Sequence, residues 1–339
     1  MSTNLDQHAE NLHASSVIFD GHCDTLISIR ENERRLSERC QPQPHGGVTS
    51  SRHIDLPRLL EGGVTAQIFA CFVRQRFLPS DATNEALRLI DTFYRSVEEN
   101  PDRLLLATRA ADVERAKAEG KVAGVLSLEG AEALEGDLAV FRSLYRLGVR
   151  ALGLTWNWRN HAADGLGESR TGGGLTEFGV ALVREANRLG VILDIAHLAP
   201  AGVRDVLALS EAPVIASHAN ARALCDNPRN LTDEQLEGIA ASGGLVGVAY
   251  VPSFLSQDAQ AASRERVLDH IDYLAKTIGV DHVGLGSDFD GFNGVLPGLE
   301  DASCLPALTS GLVARGYTDE KASKILGSNW LRVFRQVAG

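Results

Sequence analysis

His22 and Asp24 stand two residues apart at the end of an apolar run, Val17-Ile-Phe-Asp-Gly-His-Cys-Asp. In an extended chain residues i and i+2 project to one side. An imidazole and a carboxylate would then face the same way, as a pair of ligands for a divalent ion. His-x-Asp recurs by chance, and alone it reads equally well as a turn after a strand. Other apolar runs end similarly: Leu128 leads into Glu129, Ala196 into His197, Ser217 into His218, and Gly284-Leu-Gly-Ser into Asp288 and Asp290. Any one of these could be a satisfied polar residue at a strand end. Five strand ends of this kind point to one shared site.

The donor set bears on the number of ions. Two histidines and an aspartate could hold one ion. Three histidines with Asp24 and Glu129 could hold two, if Glu129 places one oxygen on each. Two-metal hydrolytic sites keep their ions roughly 3.5–4 Å apart, a gap that a carboxylate spans and an imidazole nitrogen does not. Nitrogen and oxygen donors without thiolates suit zinc best, with manganese, cobalt and iron left open. Asp24, Glu129, Asp288 and a bridging hydroxide would nearly neutralise two divalent ions. Such a pair turns a bridging water into a nucleophile near neutral pH and polarises a carbonyl. Asp288 is then placed to move the proton between that water and the leaving group. Asp290 reads as an orienting or loop-holding residue.

The elements that must position these residues are legible as eight nearly continuous apolar runs: 17–19, 64–72, 122–128, 149–155, 191–196, 213–217, 245–250 and 282–286. Runs of this kind are typical of parallel strands buried on both faces. Helical patterns separate most of them. Residues 176–190 set Phe178, Leu182, Ala186 and Leu189 on one face, with Thr176 as N-cap and Gly190 as stop. Thr232 and Gln235 have capping-box spacing. Helices are also expected over 81–99 and 264–278. The fold class is α/β: a (β/α)8 TIM-like barrel with a C-terminal helical extension. It is read as one domain over 1–339, with barrel strands over about 17–288 and the tail over about 305–337. All strand C-terminal ends of such a barrel face one rim. An open doubly wound sheet is the alternative, but no Gly-rich turn follows the first strand. The polar stretch 30–53 reads as a loop able to cover the site. Gly172-Gly-Gly174 lacks the Lys-Ser/Thr of a phosphate loop and reads as a hinge.

The chain has 339 residues, 44% of them hydrophobic, enough for a large core. A net charge of -11 and a pI of about 5.4 leave no broad basic footprint for nucleic acid. Residues 1–16 are polar and acidic, unlike a signal peptide, and no apolar run approaches a membrane span. The five cysteines are scattered and odd in number, which suits free thiols in a cytoplasm.

These motifs resemble the membrane dipeptidase (renal dipeptidase) family of zinc peptidases, within the amidohydrolase-like hydrolases. The resemblance rests on Asp20-Gly-His22-x-Asp24, Ser127-Leu-Glu129-Gly130, Leu193-Asp-Ile-Ala-His197, Pro213-Val-Ile-Ala-Ser-His218, Asn227-Pro-Arg229-Asn230 and Gly284-Leu-Gly-Ser-Asp288-Phe-Asp-Gly291. It continues into the tail at Pro297–Ser303, Arg315-Gly-Tyr and Gly327–Phe334. It implies that His22 and Asp24 ligate one Zn2+, that His197 and His218 ligate another, and that Glu129 bridges them. It also implies that Asp288 is the acid/base and that Arg229 grips the substrate's C-terminal carboxylate. A guanidinium suits that last role, although from the residues alone Arg229 reads as a helix-flanking surface residue. Tyr250 either assists Arg229 or packs in the core. The chain departs from the animal enzymes after Leu154-Thr155, where a substrate-holding histidine is replaced by Trp156-Asn157-Trp158-Arg159-Asn160-His161, resembling bacterial members. His161 or Asn157 could take that histidine's part, or neither.

The expectation is a binuclear zinc dipeptidase that cleaves free dipeptides through a metal-bridging hydroxide and tolerates a D-residue at the C-terminal position. Its partner would be a small dipeptide, not nucleic acid or membrane, and a homodimer is left open. The alternatives are an amidohydrolase of another bond (N-acyl-amino acid, lactone or β-lactam) or a deaminase on the same rim, and a barrel that binds metal or a partner without catalysis.

Overall fold

The computed structural model describes residues 2–40 and 52–339. Among these described residues, nine parallel strands run in chain order: β1 Phe19–Cys23, β2 Ala66–Phe72, β3 Leu104–Leu106, β4 Val122–Glu129, β5 Val149–Gly153, β6 Ile192–Asp194, β7 Val214–Ala216, β8 Leu245–Val248 and β9 Val283–Leu285. Their order is β2-β1-β9-β8-β7-β6-β5-β4-β3, and a further β2–β4 pairing closes the ring. Eight strands thus form the barrel, matching the eight apolar runs. The ninth, β3, lies outside it. It pairs with Val122–Gly124 at the start of β4, while β5 pairs with Leu126–Glu129 at its end. Leu104-Leu-Leu is too short a run to separate from a loop by pattern alone.

Strand β1 corrects an expected boundary. The run at 17–19 is only its approach; the strand continues through Asp20-Gly-His22-Cys23. His22 is therefore held by the ladder, while Asp24 stands at the N-cap position of the following helix, Thr25–Glu31, without a side-chain capping bond. The register shift between Asp20 and Cys23 marks an irregularity that re-aims this segment.

The helices follow their local signals. Thr176 accepts from Gly179 N at 3.0 Å, and Gly190 takes the left-handed conformation that stops Glu177–Leu189. Thr232 and Gln235 form the capping box of Asp233–Ala241. The polar N-terminal segment, which carried no strong pattern, is the helix Ser2–Ser15. His13 ties it down, bonding Thr309 Oγ1 at 2.7 Å and Gly62 O at 2.9 Å. Of the expected flap, residues 41–51 lie outside the described residues. Among the described residues, no helix is long and apolar enough to cross a membrane.

The C-terminal tail is three helices, Pro306–Ala314, Asp319–Ser323 and Asn329–Ala338. The last closes one end of the barrel. Trp330 and Phe334 join Phe19, Ile68, Val125, Ile192, Ile215 and Leu245 in one buried cluster, near the beginnings of their strands. Trp330 stacks on Phe19 at 5.6 Å and donates from Nε1 to Leu285 O at 2.8 Å. Gly21 is required here, because a Cβ at that position would lie 2.2 Å from Trp330 Cζ2 and 2.9 Å from Ser217 O. With the strand beginnings filled by apolar side chains, the polar chemistry is left to the opposite rim, where barrel enzymes carry it.

Candidate active site

Five strand ends bring their polar side chains to that rim. Glu129 sits at the centre and divides its two oxygens. Its Oε2 lies 3.4 Å from His22 Nε2; its Oε1 lies 2.9 Å from His197 Nε2 and 4.0 Å from His218 Nε2. The two latter imidazoles meet at 3.0 Å, Nε2 to Nε2. On the other side, His22 Nε2 is 3.8 Å from Asp24 Oδ2 and 4.0 Å from Asp288 Oδ1. Two groups of donors lie close enough to share an ion: His22, Glu129 and His218, and His22, Asp24 and Asp288.

These residues are deeply buried, and several atoms that burial would oblige to pair have no hydrogen-bond partner among the described residues: His22 Nε2, Asp24 Oδ1 and Glu129 Oε2. Burial without a hydrogen bond is costly for such groups, and all three residues belong to the two donor groups that share His22. The donor set therefore fits divalent metal. Electrostatics agrees. Burial, reinforced by the neighbouring Asp24 carboxylate, pushes Glu129 above the usual carboxylate range. Burial likewise raises Asp288, with Asp24 and Glu129 adding to it against the opposing pull of His22. Burial opposes the charged form of His22, but Glu129 and Asp24 outweigh it and raise its pKa well. Burial, with Arg229 and His22 nearby, holds His197 and His218 neutral. Crowded carboxylates beside neutral imidazoles are a donor set that added positive charge would stabilise.

A second layer orients the imidazoles. His197 Nδ1 meets Asn157 Oδ1 at 2.9 Å. His218 Nδ1 meets Ser217 Oγ at 2.8 Å, and that hydroxyl donates to Asp194, which also accepts from Ser217 N and Ala196 N. With the proton of each ring on Nδ1, the Nε2 lone pair faces the cluster, as a metal-bound histidine requires. The sequence reading passed over Asp194 and Ser217. A signal existed, since Asp194 is the one charged residue in the apolar run 191–196.

Asp288 and Asp290 both take left-handed backbone conformations, φ 60° and 64°, which turns their side chains apart. Asp288 faces the cluster. Asp290 accepts from Thr25 Oγ1 at 2.8 Å and His53 N at 2.6 Å, and pairs with Arg34 at 3.3 Å. His53 also accepts from Asp290 N and bonds Gly294 O, so it pins the loop. Nothing in the sequence singled out His53. Gly291 follows directly. A Cβ there would overlap both Asp288 Oδ1 and Asp24 Oδ2, so only glycine leaves the acids their positions.

Arg229 enters from the other side. Its guanidinium donates to Ala196 O and, at 3.2 Å, to His197 Nε2, and lies 5.2 Å over the Phe254 ring. It is part of the site and not of the outer surface. Asn157 reaches the site through His197. His161 does not: its side chain is exposed and lies against Gly136. Tyr250 is in the core, edge-on to Phe289 at 5.4 Å, and its buried hydroxyl has no partner among the described residues.

The sequence profile described as membrane dipeptidase (peptidase family M19) matches residues 6–339. The dipeptidase tcpJ of Claviceps purpurea (strain 20.1) is 35% identical, over 94% of this chain and 76% of its own length. Among solved structures, the metallopeptidase called dipeptidase AC, of family M19, superposes with a TM-score of 0.86 at 36% identity, covering 96% of this chain and 99% of that one. A metallopeptidase from Rhodobacter sphaeroides, liganded with a phosphinate mimic of the dipeptide L-Ala-D-Ala, gives 0.86 at 34% identity over 95% and 100%. The chain belongs to the membrane dipeptidase family, peptidase family M19, and is a metal-dependent dipeptidase.

Proposed function

We propose that the protein is a binuclear zinc dipeptidase that hydrolyses free dipeptides and accepts a D-residue at the C-terminal position. The observation that carries the two-ion reading is the split of Glu129, with one oxygen toward His22 and the other toward His197 and His218. His22 and Asp24 would hold one ion, His197 and His218 the other, and Glu129 would bridge. Bound there, the ions would supply an acidified water and a polarised scissile carbonyl.

The chain's own residues do the rest. Arg229 binds the C-terminal carboxylate from the His197–His218 side, where a guanidinium offers two parallel donors. Asn157 and Ser217, backed by Asp194, keep His197 and His218 in the tautomer that presents Nε2. Asp288 takes a proton from the attacking water and delivers it to the leaving amine. The L-Ala-D-Ala mimic bound by the Rhodobacter sphaeroides relative supports D-tolerance at the second residue. Free thiols at all five cysteines suit a cytoplasmic setting.

The test measures kcat/KM on L-L and L-D dipeptides, beside N-acyl-amino acids and lactones, with metal content determined on the same preparation. The expected result is two zinc per chain, turnover of L-Ala-D-Ala, loss on chelation and recovery with zinc. One ion at full activity would overturn the binuclear reading. Preference for lactones or acyl-amino acids would overturn the dipeptide one.

A further inference from the structure

A recess of about 240 Å3 is lined by Asp24 of the cluster and by neither His197 nor Arg229. Its lining runs from the buried Asp24 and Asp290, its inner end, past Ile27, Phe72 and Trp156 to the half-buried Arg74 and exposed Gln75, its outer end; Gly291, also exposed, completes it. Phe72 is the last residue of β2 and is paired in register with Glu129, so this wall stands at the level of the reacting centre. The Phe72 and Trp156 rings meet at 5.0 Å, and Trp156 continues to His197 at 6.0 Å. The volume is below that of a drug-sized pocket and suits one amino-acid side chain.

The polarity of the site says which side chain that is. Arg229 lies on the His197–His218 side and the recess on the Asp24 side. A dipeptide anchored by its C-terminal carboxylate at Arg229 therefore turns its N-terminal residue toward the recess. We propose that the recess receives the side chain of the N-terminal residue and that Arg74 makes the enzyme prefer an acidic one, glutamate ahead of aspartate. The inference rests on the dipeptidase reading above.

Charge carries the choice. Arg74 pairs with Glu31 at 3.3 Å, and the same carboxylate also pairs with Arg76. Among the described residues, one carboxylate thus faces two guanidinium groups at the outer end, leaving net positive charge there in a chain whose overall charge is -11. At the inner end Asp290 is already matched by Arg34, Thr25 and His53 N. Length decides between the acids. A short aspartyl carboxylate would stop nearer Asp24 and Asp290, whereas a glutamyl stem lies along Ile27, Phe72 and Trp156 and carries its charge outward to Arg74 and Gln75. A lysyl side chain would meet Arg74 with like charge, which is disfavoured.

The experiment compares kcat/KM for Glu-Ala, Gln-Ala, Leu-Ala and Lys-Ala in the zinc-loaded wild type and in Arg74→Glu, Arg74→Gln and Glu31→Gln. The expected wild-type preference for Glu-Ala over Lys-Ala is about tenfold or more, from one attraction gained and one repulsion avoided. Arg74→Glu should invert that ratio, and Glu31→Gln, which frees Arg74 from its partner, should increase it. Arg74→Gln provides the same reading without reversed charge if the first variant fails to fold: the Glu-Ala to Gln-Ala ratio should fall toward unity. A ratio that Arg74 variants leave within twofold of wild type overturns the inference while leaving the dipeptidase reading standing. Failure of the wild type to cleave any of the four dipeptides overturns both.

Discussion

Glu129 illustrates how little freedom the cluster leaves its members. It is buried, it faces imidazoles with both oxygens, and burial together with Asp24 resists its charged form. The same crowding constrains its neighbours in ways that substitution can expose. Asp288→Asn should retain bound zinc and global structure but lower kcat/KM by about 10²–10⁴, the range for a lost general acid–base group; zinc analysis alongside kinetics checks it. Loss of zinc in that variant would reassign Asp288 as a ligand. Ser217→Ala removes the hydroxyl between Asp194 and His218 Nδ1. Weakened metal binding of about 10- to 100-fold is expected from such an outer contact, read by competition against a chromophoric chelator. Gly291→Ala places a Cβ against Asp24 and Asp288, and should cost both metal content and activity with little change in circular dichroism.

Several elements have an identifiable positioning task. The terminal helix Asn329–Ala338 fills the closed end of the barrel through Trp330, whose ring touches Phe19 and whose Nε1 satisfies Leu285 O. Trp330 therefore supports β1 and β9 from behind, the strands that lead to His22 and Asp288. Trp330→Ala leaves a cavity in a fully buried cluster and should destabilise the protein by about 3–5 kcal/mol, measured by urea unfolding. At the opposite rim, the loop after β9 holds its shape through His53 and Asp290, and the helix Asp233–Ala241 starts at the Thr232 capping box, three residues after Arg229. Loss of the Thr232 hydroxyl should cost about 1 kcal/mol, with a smaller effect on catalysis than Arg229→Ala.

The molecule as a whole couples folding to two kinds of proton and metal linkage. His270, in the helix Arg264–Ile278, accepts from Ala221 N at 3.2 Å and bonds Leu255 O at 3.3 Å. Burial lowers its pKa from 6.5 to about 4. The unfolded chain therefore binds the extra proton at higher pH than the native one. Stability from the neutral ring is complete above 6.5 and is lost as pH falls toward 4. Between pH 7 and 5 this group should account for about 2 kcal/mol of lost stability, a dependence that His270→Gln should flatten in paired denaturation curves. Metal acts in the other direction. Ions bound only by the native cluster stabilise the fold by mass action, so chelation should lower Tm and zinc should restore it together with activity.

Much of this was open to reading from residue order. Apolar runs of strand length, alternating with helical patterns, determine a parallel barrel because each run must be buried on both faces. Polar residues at the ends of those runs then share a rim by topology alone, which made His22, Asp24, Glu129, His197, His218 and Asp288 legible as candidates. Short-range signals were legible for the same reason: Thr176, Thr232 and Gly190 act within a turn of their own position. Other features depend on contacts across tens or hundreds of residues, for which local pattern carries no information. Barrel closure brings Asn157 to His197, 40 residues away, and His53 to Asp290, 237 away. The division of Glu129 between its two neighbours, the choice of Asn157 over His161 and the place of Arg229 inside the site follow from side-chain directions set only when the ring closes. So do the burial of Trp330 under β1 and the aromatic recess at Phe72 and Trp156. The chain order determined which groups reach the rim; packing in three dimensions decided which of them touch, because distance and desolvation exist only in the folded molecule.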